Sequence, residues 1–133
     1  MRGLTVGGFL LAVGFLLFSI VVSAHHGSAA YDTSKSILIK GKVTDFQFIN
    51  PHVLIYIEVQ NQDGRAVEWS GELTSPNRLA RSSRGATVKW HRESLKLGEM
   101  IELGGNPAAN GAPSLRLTKV IDANGVVLIG GDS

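Results

Sequence analysis

Residues 53–73 read VLIYIEVQNQDGRAVEWSGEL, and this stretch decides the fold. Val53, Ile55, Ile57 and Val59 alternate with Leu54, Tyr56, Glu58 and Gln60, the period of two that a half-buried strand demands. Asn61-Gln62-Asp63-Gly64 interrupts the alternation, and Asp-Gly supplies the positive-φ positions of a hairpin turn. Beyond the turn, Val67, Trp69, Gly71 and Leu73 take one face and Glu68, Ser70 and Glu72 the other. The segment is a two-stranded antiparallel hairpin.

On the N-terminal side, Ile37, Ile39, Gly41 and Val43 alternate with polar residues in the same way, until the phase slips and Phe46 and Phe48 take the apolar positions. A slip inside a continuous strand predicts a β-bulge after Val43, which bends the strand and tightens its twist. Gly41 offers a second place to bend. Asn50-Pro51-His52 then breaks the strand, because proline cannot donate to a central ladder and Asn favours turns. Downstream of the hairpin, Ser75-Pro76 has the form of a helix start, with a serine cap and proline at the first helical position. The helix through Arg81 is short, since Ser82-Ser83-Arg84-Gly85 ends it. Residues 86–97 show little regularity. A fourth strand covers Met100 to Leu103, Gly104 to Pro113 reads as a loop, and a fifth strand covers Ser114 to Ile121. Asp122-Ala123-Asn124-Gly125 turns the chain into a last apolar run, Val126 to Ile129.

This order predicts an all-β domain, mainly β with one short helix: a small five- to six-stranded Greek-key barrel of the oligonucleotide/oligosaccharide-binding (OB-fold) type. Another small β-sandwich or roll is the alternative. A curved first strand shared by the two halves of such a barrel accounts for the bulge.

The beginning of the chain predicts its compartment. Arg2 is the sole charge before Asp32, an apolar stretch runs from Phe9 through Val22, and Val22-Ser23-Ala24 ends it. A basic start, an apolar middle and a small-residue exit define a cleavable signal peptide over residues 1–24. The stretch is at the short end of the roughly 20 residues that span a bilayer, which favours removal over retention as an anchor. There follow a polar arm, residues 25–36, and a single domain, residues 37–133. The expected location is periplasmic or secreted, in a bacterium. A formal net charge of +2, reduced further when Arg2 leaves, gives no electrostatic case for nucleic acid or a membrane surface. The chain has no cysteine, hence no disulfide framework, thiolate metal site or cysteine lipid anchor.

Cleavage after Ala24 makes His25 the first residue of the mature chain, followed by His26. An N-terminal histidine presents its α-amine and its imidazole Nδ1 to one ion. That chelate, completed by a second imidazole, suits tetragonal copper(II). His52 in the Asn-Pro-His corner is the candidate for the additional imidazole. The competing account makes His25 and His26 a solvated chain end and His52 a turn residue. His91, between Trp90 and Arg92, reads as a surface loop residue.

Catalysis finds little support. There is no Gly-x-Ser-x-Gly, no His-Glu-x-x-His and no cysteine nucleophile, so the chain is not expected to be an enzyme. Glu58, Glu68 and Glu72 read as solvated cross-strand carboxylates. Trp69, Trp90, Tyr56, Phe46 and Phe48 serve either as a stacking platform or as core. Arg78, Arg81, Arg84, Lys89 and Arg92 form the one local positive excess. Asn50, Trp69, Arg78 and Arg81 are the candidate ligand contacts, for a small ligand, glycan or envelope protein. The expectation is a non-enzymatic periplasmic binding module holding a copper-type metal, with a metal-free accessory or interaction domain as the alternative.

Further residues carry a resemblance. His25-His26 after the leader, Tyr31-Asp32, Gly41-x-Val43, Asn50-Pro51-His52, Asp63-Gly64, Trp69, Asn77-x-Leu79-x-Arg81 and Leu95-Lys96-x-Gly98 occur in that order. The set resembles an uncharacterised family of short exported proteobacterial proteins, a domain of unknown function. In that family Gly-Trp often follows the short helix and Pro-Gly-Asp precedes the fourth strand. Here the chain has Gly85-Ala86-Thr87-Val88-Lys89-Trp90 and Leu97-Gly98-Glu99 instead, which points to a small insertion between helix and strand. The resemblance implies a secreted single domain and carries no activity with it.

Overall fold

A computed structural model describes residues 30–81 and 89–130. The predicted leader, His25 and His26 lie outside the described residues. Six strands and one helix follow in order: β1 (Ile37–Gln47), β2 (Leu54–Gln60), β3 (Ala66–Glu72), α1 (Pro76–Ala80), β4 (Met100–Pro107), β5 (Ser114–Ile121) and β6 (Val127–Ile129).

Strand β1 is the shared strand. Its first half pairs antiparallel with β4, from Ile37 opposite Gly105 to Lys42 opposite Met100. Its second half pairs with β2, and the register shifts between Val43 and Asp45, so that Thr44 is the extra residue of the bulge. β2 pairs with β3 across the Asn61–Gly64 turn, and β4 with β5. Parallel pairing of β3 with β5, Ser70 to Glu72 against Ser114 to Arg116, closes the circle 1-2-3-5-4. This is a mainly β, closed five-stranded barrel of the OB type, with β6 added beside β5.

Side-chain alternation fills the interior. Val43, Val53, Ile55, Ile57, Ile101, Leu103, Leu115 and Val120 are buried and form one cluster. The helix contributes Leu79, and the irregular segment before β4 contributes Trp90 and Leu95. Trp90 lies 6.1 Å from the ring of Phe46, so this indole is core.

Two local expectations change. The segment read as a loop from Gly104 is strand as far as Pro107. Glycines carry no side-chain period, but Gly104 and Gly105 are buried, and a β-carbon on Gly105 would overlap the Arg116 carbonyl on β5. The helix starts where Ser75-Pro76 places it, yet Ser75 makes no side-chain cap hydrogen bond. Its carbonyl instead accepts from the N–H groups of Arg78 and Leu79, at 3.0 and 3.2 Å.

Candidate functional site

The Asn50-Pro51-His52 corner joins β1 to β2, with a cis peptide bond between Asn50 and Pro51. The ladder runs one step beyond the strand ends: Leu73 N–H donates to the Val53 carbonyl at 2.8 Å, and Val53 N–H to the Thr74 carbonyl at 3.2 Å. His52 therefore leaves the barrel beside the end of β3. There its Nδ1 meets Glu72 Oε1 at 2.5 Å, the side chains being 44% and 23% exposed respectively.

Glu72 is itself firmly placed. Its backbone lies opposite Leu54 of β2 on one side and Arg116 of β5 on the other. The second oxygen of its carboxylate accepts from the Tyr31 hydroxyl at 2.9 Å. Burial raises the Tyr31 pKa above its usual value, and hydrogen bonding and charge from Glu72 push the same way. A hydrogen bond from the Ser114 side chain and the charge of Arg116 oppose that shift.

Tyr31 belongs to the arm that precedes β1, and the backbone fixes it. Tyr31 bridges to Ala108, Asp32 N–H donates to the Pro107 carbonyl at 2.8 Å, and Ala109 N–H donates to the Ala30 carbonyl at 2.9 Å. Residues 30–32 of the arm thus lie along the start of the connection between β4 and β5, and Tyr31 delivers a phenol to the carboxylate that His52 also holds.

Asn50 is exposed in the same corner as His52. Arg78 and Arg81 are exposed, the first in α1 and the second at its C-terminal cap. Trp69 is half-buried and packs against the core. His91 is exposed, with its Nδ1 accepting from the Glu93 N–H at 3.2 Å, as a loop residue would be. Glu58 and Glu68 are cross-strand partners, of Lys42 and Thr44 respectively. Among the described residues no three His, Cys, Asp or Glu side chains gather as a metal site.

Glu72, expected as a solvated cross-strand carboxylate, is instead held by His52 and Tyr31, and neither it nor Tyr31, noted in the resemblance alone, was among the expected site residues. A usable signal was present in the hairpin: extending its register from the Asn61–Gly64 turn sets position 72 opposite position 54, two residues from His52.

A neutral His52 that directs its Nδ1 hydrogen at the Glu72 carboxylate keeps the Nε2 lone pair for a metal ion or a hydrogen-bond donor. The arrangement is that of a histidine oriented by a carboxylate, a common companion of metal ligation.

No curated protein matches the chain. Among solved structures, the complex of TiaS with a transfer RNA and ATP contains a similar region, at 19% identity and a TM-score of 0.43, covering 69% of this chain and 19% of that one. The chain spans about a fifth of the length of that protein. The sequence model of a family of unknown function matches residues 15–115, a span that takes in Tyr31, His52 and Glu72, and the chain belongs to that family, DUF6152.

Proposed function

We propose that the mature protein is a non-enzymatic periplasmic binding module that holds a copper-type metal ion. The amine and imidazole of His25 are the chelating donors, with His26 beside them and His52 as the imidazole contributed by the barrel. The supporting observation is that Tyr31 and His52 share the Glu72 carboxylate. His26 precedes Tyr31 by five positions, a stretch that reaches at most roughly 17 Å when extended. A tether of that length allows a chain end to reach His52. The Nδ1 contact to Glu72 leaves Nε2 of His52 as the ring nitrogen open to a metal.

The signal-peptide features of residues 1–24 support export, and export creates the free amine at His25. The position on the barrel also fits by analogy of fold, since OB-type barrels bind at strands 2 and 3 and at the loops joining strands 1–2 and 4–5. His52 lies in the first of those loops, and Tyr31 bridges to the start of the second.

The test is a copper(II) titration of protein purified from the periplasm, beside His52→Ala. The proposal expects tight binding at one ion per chain and a loss of at least about tenfold in the variant, or about 1.4 kcal/mol. Equal affinities remove His52 from the site.

A second reading is a metal-free accessory domain that binds an envelope protein or glycan. The exposure of Asn50, Arg78 and Arg81 favours it, with Trp69 on β3 nearby in sequence. A flat copper titration would leave this reading in possession.

A further inference from the structure

We infer that Glu72 is a positioning residue for His52, and that Tyr31 holds the Glu72 carboxylate in place while it does so. The inference rests on the metal-binding reading above and deepens it by naming the groups that set the affinity of that site.

The two ends of the His52–Glu72 contact differ in what fixes them. Glu72 is in a strand that is hydrogen-bonded to a neighbour on each side, β2 and β5. Its side chain is three-quarters covered, and both of its oxygens are engaged, Oε1 by His52 and Oε2 by Tyr31. His52 is in a turn ahead of β2, with nearly half of its side chain exposed. An imidazole so placed has several accessible rotamers, and ordering it costs conformational entropy. The carboxylate selects one orientation and one tautomer in advance, with Nδ1 as donor and Nε2 as the free base. A charged acceptor also makes the opposite ring nitrogen a stronger donor to a metal.

Tyr31 completes the arrangement from the far side. Its hydroxyl takes the oxygen that His52 does not use. The carboxylate is thereby held at both oxygens, which fits a group that supports the histidine. The contact also ties Tyr31, and with it the start of the described arm, to the corner that carries His52.

The experiment compares copper(II) affinity and the copper(II) electron paramagnetic resonance spectrum at one fixed pH. It uses the processed chain and its variants Glu72→Ala, Glu72→Gln, Tyr31→Phe and His52→Ala, with near-ultraviolet circular dichroism to check folding. Glu72→Ala is expected to weaken binding by about 10- to 100-fold and to replace one spectral species by a mixture. Glu72→Gln, which keeps an acceptor for Nδ1 but not the charge, is expected to fall between Glu72→Ala and the parent, with the parent's nitrogen couplings. Tyr31→Phe is expected to weaken binding less than Glu72→Ala. Should Glu72→Ala not fold, Glu72→Gln decides alone: weaker binding with unchanged nitrogen couplings supports the inference, and parental affinity overturns it. Loss in His52→Ala with parental affinity in both Glu72 variants overturns the positioning role and leaves the metal site standing. Parental affinity in His52→Ala overturns both. Equal loss in Glu72→Ala and Glu72→Gln, with the His52 nitrogen still coupled to copper, makes Glu72 a ligand and also overturns the inference.

Discussion

Tyr31 and His52 are 21 positions apart in the sequence, and they meet on opposite oxygens of one carboxylate, that of Glu72, at 2.9 and 2.5 Å. Three segments converge there: the arm, the β1–β2 corner and the end of β3. The β2–β3 hairpin register sets the corner beside the end of β3, and pairing of β3 with β5 brings in the β4–β5 connection along which Tyr31 and Asp32 lie.

The first prediction concerns that arm. Removing the hydroxyl in Tyr31→Phe leaves one oxygen of Glu72 without its partner, at a cost of about 0.5–1.5 kcal/mol. Hydrogen exchange is expected to quicken at the Asp32 and Ala109 amides, which bond across the arm, while amides of β2 keep their protection. Unchanged exchange at both arm amides would show that the phenol does not hold the arm.

Acid is expected to loosen the turn that leads from the arm into β1. The Asp32 pKa is lowered from 3.8 to about 2, first by the Ser34 hydroxyl and then by Lys35 and the Ser34 N–H. A carboxyl whose folded pKa is depressed stabilises the fold above its ordinary value, and that contribution disappears as pH falls through the folded value. The Asp32–Lys35 turn is therefore expected to loosen between about pH 4 and pH 2. A nuclear magnetic resonance titration of the Asp32 carboxyl checks this, and a midpoint near 3.8 would contradict it.

Much of the fold was legible because one face of each strand is buried and the other is not. In β2, Ile55 and Ile57 are fully buried while Leu54, Tyr56 and Glu58 are half-buried, so the period survives in the sequence. The bulge at Thr44 showed itself as a phase slip. The second half of β4 did not, because Gly104, Gly105, Asn106 and Pro107 carry turn-forming residue types. There glycine answers the close approach of β5 and not a turn. The parallel β3–β5 pairing leaves no local mark, since it depends on register between distant strands. His52 was visible as a histidine in a proline-bearing corner. Glu72 could be placed only through the hairpin register that sets it opposite Leu54, because an alternating strand by itself looks the same whether its outward carboxylate meets water or a histidine.

Gly41 tests the shared strand. A β-carbon at this position would stand 2.6 Å from the Glu58 carbonyl oxygen and 3.0 Å from the end of Ile57. Backbone cannot yield as a side chain does, so Gly41→Ala is expected to destabilise by about 1–3 kcal/mol, read as a shifted midpoint in urea unfolding. An unchanged midpoint would mean that the β1–β2 pairing is looser than its register indicates.

The core allows a sharper comparison. Ile57 is fully buried, and Ile57→Ala is expected to cost about 2–5 kcal/mol. Trp90 is 2% exposed, and its indole N–H has no hydrogen-bond partner among the described residues. Trp90→Ala should cost about 3–5 kcal/mol through lost packing. Trp90→Phe should recover part of that, because the ring contact with Phe46 is kept and no hydrogen bond is lost. Equal costs for the two Trp90 variants in urea unfolding would contradict the packing account.

The decisive comparison for the proposed metal site is copper(II) affinity of a chain that begins at His25, beside a chain with a single extra alanine ahead of His25. If the amine and imidazole of His25 chelate the ion and His52 completes the site, the extension removes the amine from its position and affinity falls by about tenfold or more. Equal affinity in the two chains would contradict the proposed site.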